Sequence, residues 1–361
     1  MIRSCNPSPR AYLGAIDSRA LWGSIFAGET FDKSSAPSSC RAALRTLETR
    51  WLGAVMSRIM IFGAGGQIGR HLTETASGIG CEVLGLTHGE ADICDAAVVA
   101  DAITRGKPTT IVNAAAYTAV DKAESEADKA FSINRDGASV IAQVAAEANI
   151  PLIHLSTDYV FDGLSRTPYT EEDPVNPQGT YAKSKEAGER AVRDAHDRHL
   201  ILRTAWVYGP YGTNFLRTML RLGAERDELG IVDDQIGCPT ATRDLAEAIT
   251  TLVETIERPR FNDWGTYHHV GADVVTWYGF ASTIFAEVAR FGQKVPRLRP
   301  ITTADYPTPA PRPAYSVLST AKFNRVFGIE PKPLPGSLIA SLDRLFRENR
   351  HPWQCPIKSV S

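Results

Sequence analysis

The run Tyr181-Ala182-Lys183-Ser184-Lys185 puts a phenol four residues ahead of an ammonium. On a helix those two groups share a face. A neighbouring lysine charge favours loss of the phenolic proton, so a group with a pKa of about 10 is predicted to act as acid or base nearer neutrality. Upstream stand Ser156-Thr157-Asp158 and Gly63-Ala64-Gly65-Gly66-Gln67-Ile68-Gly69. A threonine hydroxyl beside a phenol gives two donors that converge on one carbonyl oxygen. Ketone reduction needs that arrangement: hydride reaches the carbon while charge on the oxygen is stabilised and then protonated. A Tyr-Lys pair alone reads first as a solvated helix face. In this order, behind a glycine-rich turn, the three segments predict a hydride-transfer site with Thr157, Tyr181 and Lys185 as its catalytic residues.

The glycine turn predicts where the hydride carrier binds. Gly63-x-x-Gly66-x-x-Gly69 follows an apolar strand pattern and opens a helical one. Gly63 permits the tight turn, Gly66 lets the backbone approach a pyrophosphate, and Gly69 lets helix pack on strand. Amides at the helix start, from Gly65, Gln67 and Ile68, then face the phosphates. A carboxylate at the tip of the second strand would bind ribose hydroxyls and select against a 2′-phosphate. That strand ends Gly85-Leu86-Thr87-His88, and Glu90 and Asp92 come later. Thr87 is therefore the predicted ribose contact, and NADPH the predicted cofactor, with NADH as the alternative. Asn113-Ala114-Ala115-Ala116 ends the next strand with small side chains that let the chain pass close under the nucleoside.

These segments sit in an alternating pattern. Strands are predicted at Arg58–Phe62, Glu82–Leu86, Thr110–Asn113, Pro151–Ser156 and Leu200–Ala205. Helices are predicted at Gln67–Ser77, Ala96–Thr104, Ala123–Asn149 (broken once), Ala182–His196, Phe215–Gly223, Arg243–Glu257, Thr276–Arg290 and Ser337–Glu348. Short apolar strands alternating with helices imply an α/β fold: a doubly wound parallel sheet, with a smaller C-terminal substrate-binding domain. The dinucleotide-binding domain is expected over 56–210. Residues 211–361 form mainly the substrate-binding domain, with elements at about 240–270 returning to the first. The proline-dense run Pro296–Pro313 reads as an ordered loop with little helix. Residues 1–55 show weak periodicity and are expected to lie outside the fold, with Met56 as the natural start.

Composition narrows the classes. The chain has 361 residues, 43% of them hydrophobic and 22% charged, with a net charge of -2. No broad basic surface for nucleic acid or anionic lipid is implied, and no apolar run approaches a membrane span. Cys5, Cys40, Cys81, Cys94, Cys238 and Cys355 are scattered, without metal-ligand spacing. Reduced thiols in a cytoplasmic protein are the expectation.

At this point the chain resembles the extended short-chain dehydrogenase/reductases, from about Met56 to near Arg350. The glycine turn, Ser156–Gly163, Tyr181–Lys185 and Arg203–Gly209 carry the resemblance to the class. Asn113–Glu124, Asp234–Thr240 and Pro307–Pro313 carry it further, and Val120–Glu124 with the Pro307–Pro313 run are the more specific parts. The resemblance implies reduction of the C4 ketone of dTDP-4-dehydro-β-L-rhamnose, a dTDP-linked 4-keto-6-deoxy sugar, by NADPH or NADH. Tyr181 would donate the proton, Thr157 would bond the ketone oxygen, and Lys185 would orient the cofactor, so Tyr181 and Lys185 are cofactor contacts too. Asp92 and Ile93 would lie along the adenine, and Asn134 would order the active-site backbone. Trp206 would pack on the sugar ring, and Asp158, Asn214 and Arg312 complete the expected substrate contacts. For Arg312 the residues agree, since an arginine in a proline-flanked loop suits a diphosphate. Mg2+ is associated with some members, but no ligand is assigned here; a homodimer is the assembly expected. Other readings are an epimerase or dehydratase of the same fold, and a regulatory subunit that binds NADP without catalysis.

Overall fold

The computed structural model describes residues 57–348. The expectations for residues 1–55 therefore lie outside the described residues. Strand β1 (Arg58–Phe62) is followed by helix α1 (Gln67–Gly78), β2 (Glu82–Leu86), α2 (Ala96–Gly106) and β3 (Thr110–Asn113). Short helices α3 (Val120–Ala123) and α4 (Ala127–Phe131) lead through a π-helical turn (Ser132–Gly137) into α5 (Ala138–Glu147). Then come β4 (Leu152–Thr157), a 3-10 turn (Asp158–Val160), α6 (Thr180–Ala195) and β5 (His199–Thr204).

A sixth strand of this sheet is added much later in the chain. After β6 (Val207–Tyr208), α7 (Phe215–Glu225), β7 (Glu228–Val232), β8 (Ile236–Gly237) and β9 (Thr240–Ala241), the chain forms α8 (Thr242–Ile256) and then β10 (Gly265–His268). The parallel sheet runs β10-β5-β4-β3-β1-β2. Its strand order reverses between β1 and β3, so the crevice outside their carboxyl ends is the switch point where ligands of such sheets bind.

Alternation along β1 explains the two covered faces. Ile59 and Ile61 join Leu72 and Ala76 of α1 and Leu245, Ile249 and Leu252 of α8. Met60 and Phe62 join Val99 and Ile103 of α2, Ile141 and Ala145 of α5 and Val192 of α6. Buried on both faces, the strands read as continuous apolar runs.

A separate core gathers Leu216 and Leu220 of α7, Leu229 and Ile231 of β7, and Phe280 and Ile284 of helix α9 (Trp277–Arg290). It also takes in Leu338 and Leu342 of the last helix, Leu334–Glu348. Before α9, strand β11 (Val275–Thr276) pairs antiparallel with β8. The proline-dense run holds little helix, but it is not all loop: β12 (Arg297–Ile301) pairs in parallel with β7. Helix α10 (Ala321–Phe327) then packs Phe323 back onto the first core, and the last helix, Leu334–Glu348, is α11.

Candidate active site

The glycine turn sits at the switch point. Gly63 has φ +85°, a conformation that favours glycine. A Cβ on it would fall 2.6 Å from the Ala115 amide, so the turns after β1 and β3 touch. A Cβ on Gly69 would run into the Gly63 carbonyl, which is the close helix–strand approach expected there. Helix α1 has Gly66 as its N-cap, no side-chain cap and no acidic residue in its first turn. Gly65 and Gly66 are exposed, so the first-turn amides are open to an anion. The residues present fit a dinucleotide pyrophosphate.

The rim of this crevice differs from expectation at the second strand. Glu90 folds back so that its Oε2 accepts from the Thr87 amide at 2.8 Å and the Thr87 hydroxyl at 2.7 Å. These bonds hold the Glu90 carboxyl below the usual range. A carboxylate therefore does stand at the tip of β2, supplied by the turn and not by the strand. Asp92 is exposed and accepts from the Cys94 amide, whereas Ile93 is buried beneath the π-helical turn at Gly137. Ala114, Ala115 and Ala116 are half-buried, and Asn113 holds that turn by accepting from the Ala115 amide at 3.1 Å.

The predicted catalytic groups come together at the carboxyl end of β4. Thr157 pairs with Thr204 in the sheet, and its side chain engages the Tyr181 phenol. Burial pushes that phenol up, and the Thr157 hydrogen bond opposes it. Lys185 does not pull it down as expected. The Lys185 ammonium is 3% exposed and donates to the Leu155 carbonyl at 2.7 Å. Burial lowers it to about 8, while Glu189 on the next turn of α6 works to raise it. Beneath them Glu189 accepts from Ser156 at 2.6 Å and binds Arg203 through both oxygens at 2.9 and 2.7 Å.

Asn134 lies in the π-helical turn, a feature frequent at functional sites. Its amide bonds both the Tyr117 N–H, at 2.8 Å, and the Tyr117 carbonyl, and it donates to Ser184 Oγ at 2.9 Å. Ser184 in turn donates to the Tyr181 carbonyl. Asn134 thus ties the segment after β3 to the helix that carries Tyr181.

Three expected substrate contacts are differently engaged. Trp206, in the left-handed region at φ +47°, stacks face to face on Trp277 with centroids 3.4 Å apart and 3° between planes. Gly237 lies so close to Trp206 that an added Cβ would meet Cε2 before Nε1 or Cζ2. An edge-on approach would reach that ring-fusion carbon last, so Gly237 covers the other face. Trp206 is left with its edge, not a face, for a sugar. Asn214 caps α7: Oδ1 accepts from the Arg217 amide, and Nδ2 donates to the Gly209 and Tyr211 carbonyls and to Gln67. It braces the loop over the glycine turn instead of reaching outward. Arg312 donates to Asp121 at 2.8 Å and also bonds Tyr159.

Two residues that carried no assigned role turn out to hold the site together. Helix α6 begins after Gly179, which has no side chain to cap it. Glu124 supplies the cap from across the site, accepting from the Thr180 amide at 2.8 Å and its hydroxyl at 2.9 Å. Asp121 accepts from the Ala310 amide as well as from Arg312. An uncapped glycine before a helix is the sequence signal for such a partner. No cluster of three or more His, Cys, Asp or Glu suited to a metal occurs among the described residues. No helix among them is long and apolar enough to cross a membrane.

A doubly wound sheet with a glycine turn at its switch point and a Thr-Tyr-Lys group on the neighbouring strand and helix defines an extended short-chain dehydrogenase/reductase. Residues 56–346 match the family model described as RmlD substrate binding domain, and the chain belongs to that family. It is 45% identical over 279 residues to dTDP-4-dehydrorhamnose reductase of Aggregatibacter actinomycetemcomitans, covering 76% of this chain and 95% of the relative. Among solved structures it is similar to a dTDP-4-dehydrorhamnose reductase from Clostridium acetobutylicum, with TM-score 0.75 and 37% identity over 80% of this chain and 99% of the other. It is also similar to the Bacillus anthracis dTDP-4-dehydrorhamnose reductase in complex with NADP, with TM-score 0.74 and 35% identity over 81% and 100% of the two chains.

Proposed function

We propose that this protein reduces the C4 ketone of dTDP-4-dehydro-β-L-rhamnose to dTDP-β-L-rhamnose, using a nicotinamide cofactor. The observation that carries the proposal is the engagement of Thr157 with Tyr181 at the carboxyl end of β4, beside the switch-point crevice. The relatives' names support the substrate.

A reduced nicotinamide, when bound, supplies the hydride. Gly63, Gly65, Gly66, Gln67, Ile68 and Gly69 would hold its pyrophosphate, Thr87 and Glu90 its ribose, and the Asn113–Ala116 turn its inner edge. Lys185 keeps two N–H donors beyond its bond to Leu155 and would offer them to the second ribose. Tyr181 gives its proton to the ketone oxygen, and Thr157 donates to the same oxygen as charge develops there. Arg312, held by Asp121 and Tyr159, offers its remaining N–H groups to the diphosphate. Trp206 borders the sugar with its edge. The dinucleotide domain comprises 56–210 with α8, β10 and α10; most of the rest after 211 would hold the substrate.

Glu90 alters the cofactor reading. A carboxylate at the β2 tip favours free ribose hydroxyls, so NADH is used alongside NADPH. The test follows loss of nicotinamide absorbance with the dTDP-linked 4-keto sugar. Tyr181→Phe is expected to lower kcat by about 10²–10⁴-fold. An unchanged rate in that variant refutes the assigned role.

A further inference from the structure

Thr157 has one hydroxyl hydrogen, and more than one neighbour draws on it. Its Oγ1 lies 3.0 Å from Asp158 Oδ1, accepts from the Tyr159 amide at 3.2 Å, and engages the Tyr181 phenol. An ionised carboxylate can only accept. In that form Asp158 would take the hydrogen that Thr157 needs for the reacting oxygen. A protonated carboxyl reverses the bond. Thr157 then fills its two lone pairs with the Tyr159 N–H and the Asp158 O–H, and its own hydrogen is left for the Tyr181 phenol oxygen or, with substrate bound, for the reacting oxygen.

We propose that Asp158 is a positioning residue that acts as a neutral donor to Thr157 and so directs the Thr157 hydroxyl at the ketone oxygen. The inference rests on the ketoreductase reading and extends it.

The surroundings of Asp158 favour the neutral form. Its side chain is 2% exposed, and Oδ2 has no hydrogen-bond partner. Among the described residues no lysine or arginine pairs with it. A buried anion with an unsatisfied oxygen and no counter-charge is costly. The groups that face it are neutral: Tyr159 from its own turn, Tyr181 from α6, Cys238 beyond β8, and Ser316 near the C-terminal end. Arg312 reaches Tyr159 but makes no bond to Asp158. Burial raises the carboxyl to about 7 and outweighs the hydrogen bonds from Ser316 and Thr157 and from the backbone amides of Asp158 and Tyr159.

The experiment measures kcat against pH for the full chain with NADPH and the dTDP-linked 4-keto sugar, in the wild type, Asp158→Asn and Asp158→Leu. The wild type is expected to lose kcat as pH rises through about 7. Asp158→Asn can donate an amide N–H at every pH. It is expected to keep kcat within about tenfold of the wild type at acid pH and to lack the limb near 7. Asp158→Leu has no donor and should fall by about 10²-fold. The Lys185 limb near 8 should persist in both variants. An Asn variant as impaired as the Leu variant, or one that keeps the limb near 7, overturns the proposal. Infrared difference spectra of the protein alone give a readout without turnover. A protonated-carboxyl band that titrates near 7 in the wild type and is missing from Asp158→Asn supports the proposal; its absence from the wild type overturns it. Should the wild type fail to reduce the sugar, the ketoreductase reading fails while the spectra still decide the state of Asp158.

Discussion

Glu189→Gln tests whether the layer beneath the site both holds the fold and tunes the lysine above it. Glu189 is fully buried in α6 and is gripped by Arg203, itself 3% exposed, and by Ser156. Burial alone would raise the Glu189 carboxyl. The Arg203 and Ser156 hydrogen bonds, with the Arg203 and Arg193 charges, overcome that and hold it at about 2, against 4.5 for the free group. At about 1.4 kcal/mol per unit, the difference corresponds to about 3 kcal/mol of stability at neutral pH. Loss of one partner from a buried pair costs a similar ~3–5 kcal/mol, because Arg203 is left uncompensated. A folded pKa below the unfolded one contributes stability that is present above about 4.5 and lost as pH falls towards 2. Urea unfolding should therefore place Glu189→Gln about 3 kcal/mol below the wild type at pH near 7, with a gap that narrows in acid. The same substitution removes the anion that raises Lys185, so the kcat limb assigned to Lys185 should move below about 8. A loss under about 1 kcal/mol, or a gap equal at acid and neutral pH, would refute the reasoning.

Two further substitutions probe the edges of the site. Glu90→Gln removes the carboxylate folded onto Thr87, so the ratio of kcat/KM for NADPH over NADH should rise by about fivefold; an unchanged ratio would mean that Glu90 does not face the ribose. Glu124→Ala removes the external cap of α6, worth about 1–2 kcal/mol to the first helical turn, and should speed amide exchange at Tyr181–Lys185 while lowering kcat by about tenfold. Unaltered exchange there would show that the helix start needs no partner.

The central sheet was legible because its strands are buried on both faces and therefore spell short apolar runs. The predicted bounds of β1, β2 and β3 coincide with the observed ones. Strand β10 escaped notice because it is an edge, paired only to β5, and Gly265-Thr266-Tyr267-His268 carries no such run. Strand β12 was hidden by Pro300 within it and Pro296 before it; Pro300 is tolerated because the sheet has only two strands and the missing N–H costs one edge its donor. The approach of Thr157 to Tyr181 at the end of β4 was readable from residue type and order. What sequence separation concealed were contacts between distant segments: Trp277 on Trp206, Asp121 on Arg312, and the return of Glu90 to the strand it follows.

Those distant contacts explain why the segment Val120-Asp121-Lys122-Ala123-Glu124 distinguishes this chain more sharply than the catalytic residues do. Any ketoreductase of this fold needs the phenol and the lysine. The Asp121 carboxylate instead fixes the loop that carries Arg312, while Glu124 fixes the start of the helix that carries Tyr181. A span of four residues therefore ties the loop that carries Arg312 to the start of the helix that carries Tyr181. Asn134 links the same region to α6 from the other side. In the proposed reaction the spacing between that loop and the helix start would set the length of substrate accepted, so the proline-flanked loop and the helix α3 segment would have to change together for a sugar nucleotide of different reach.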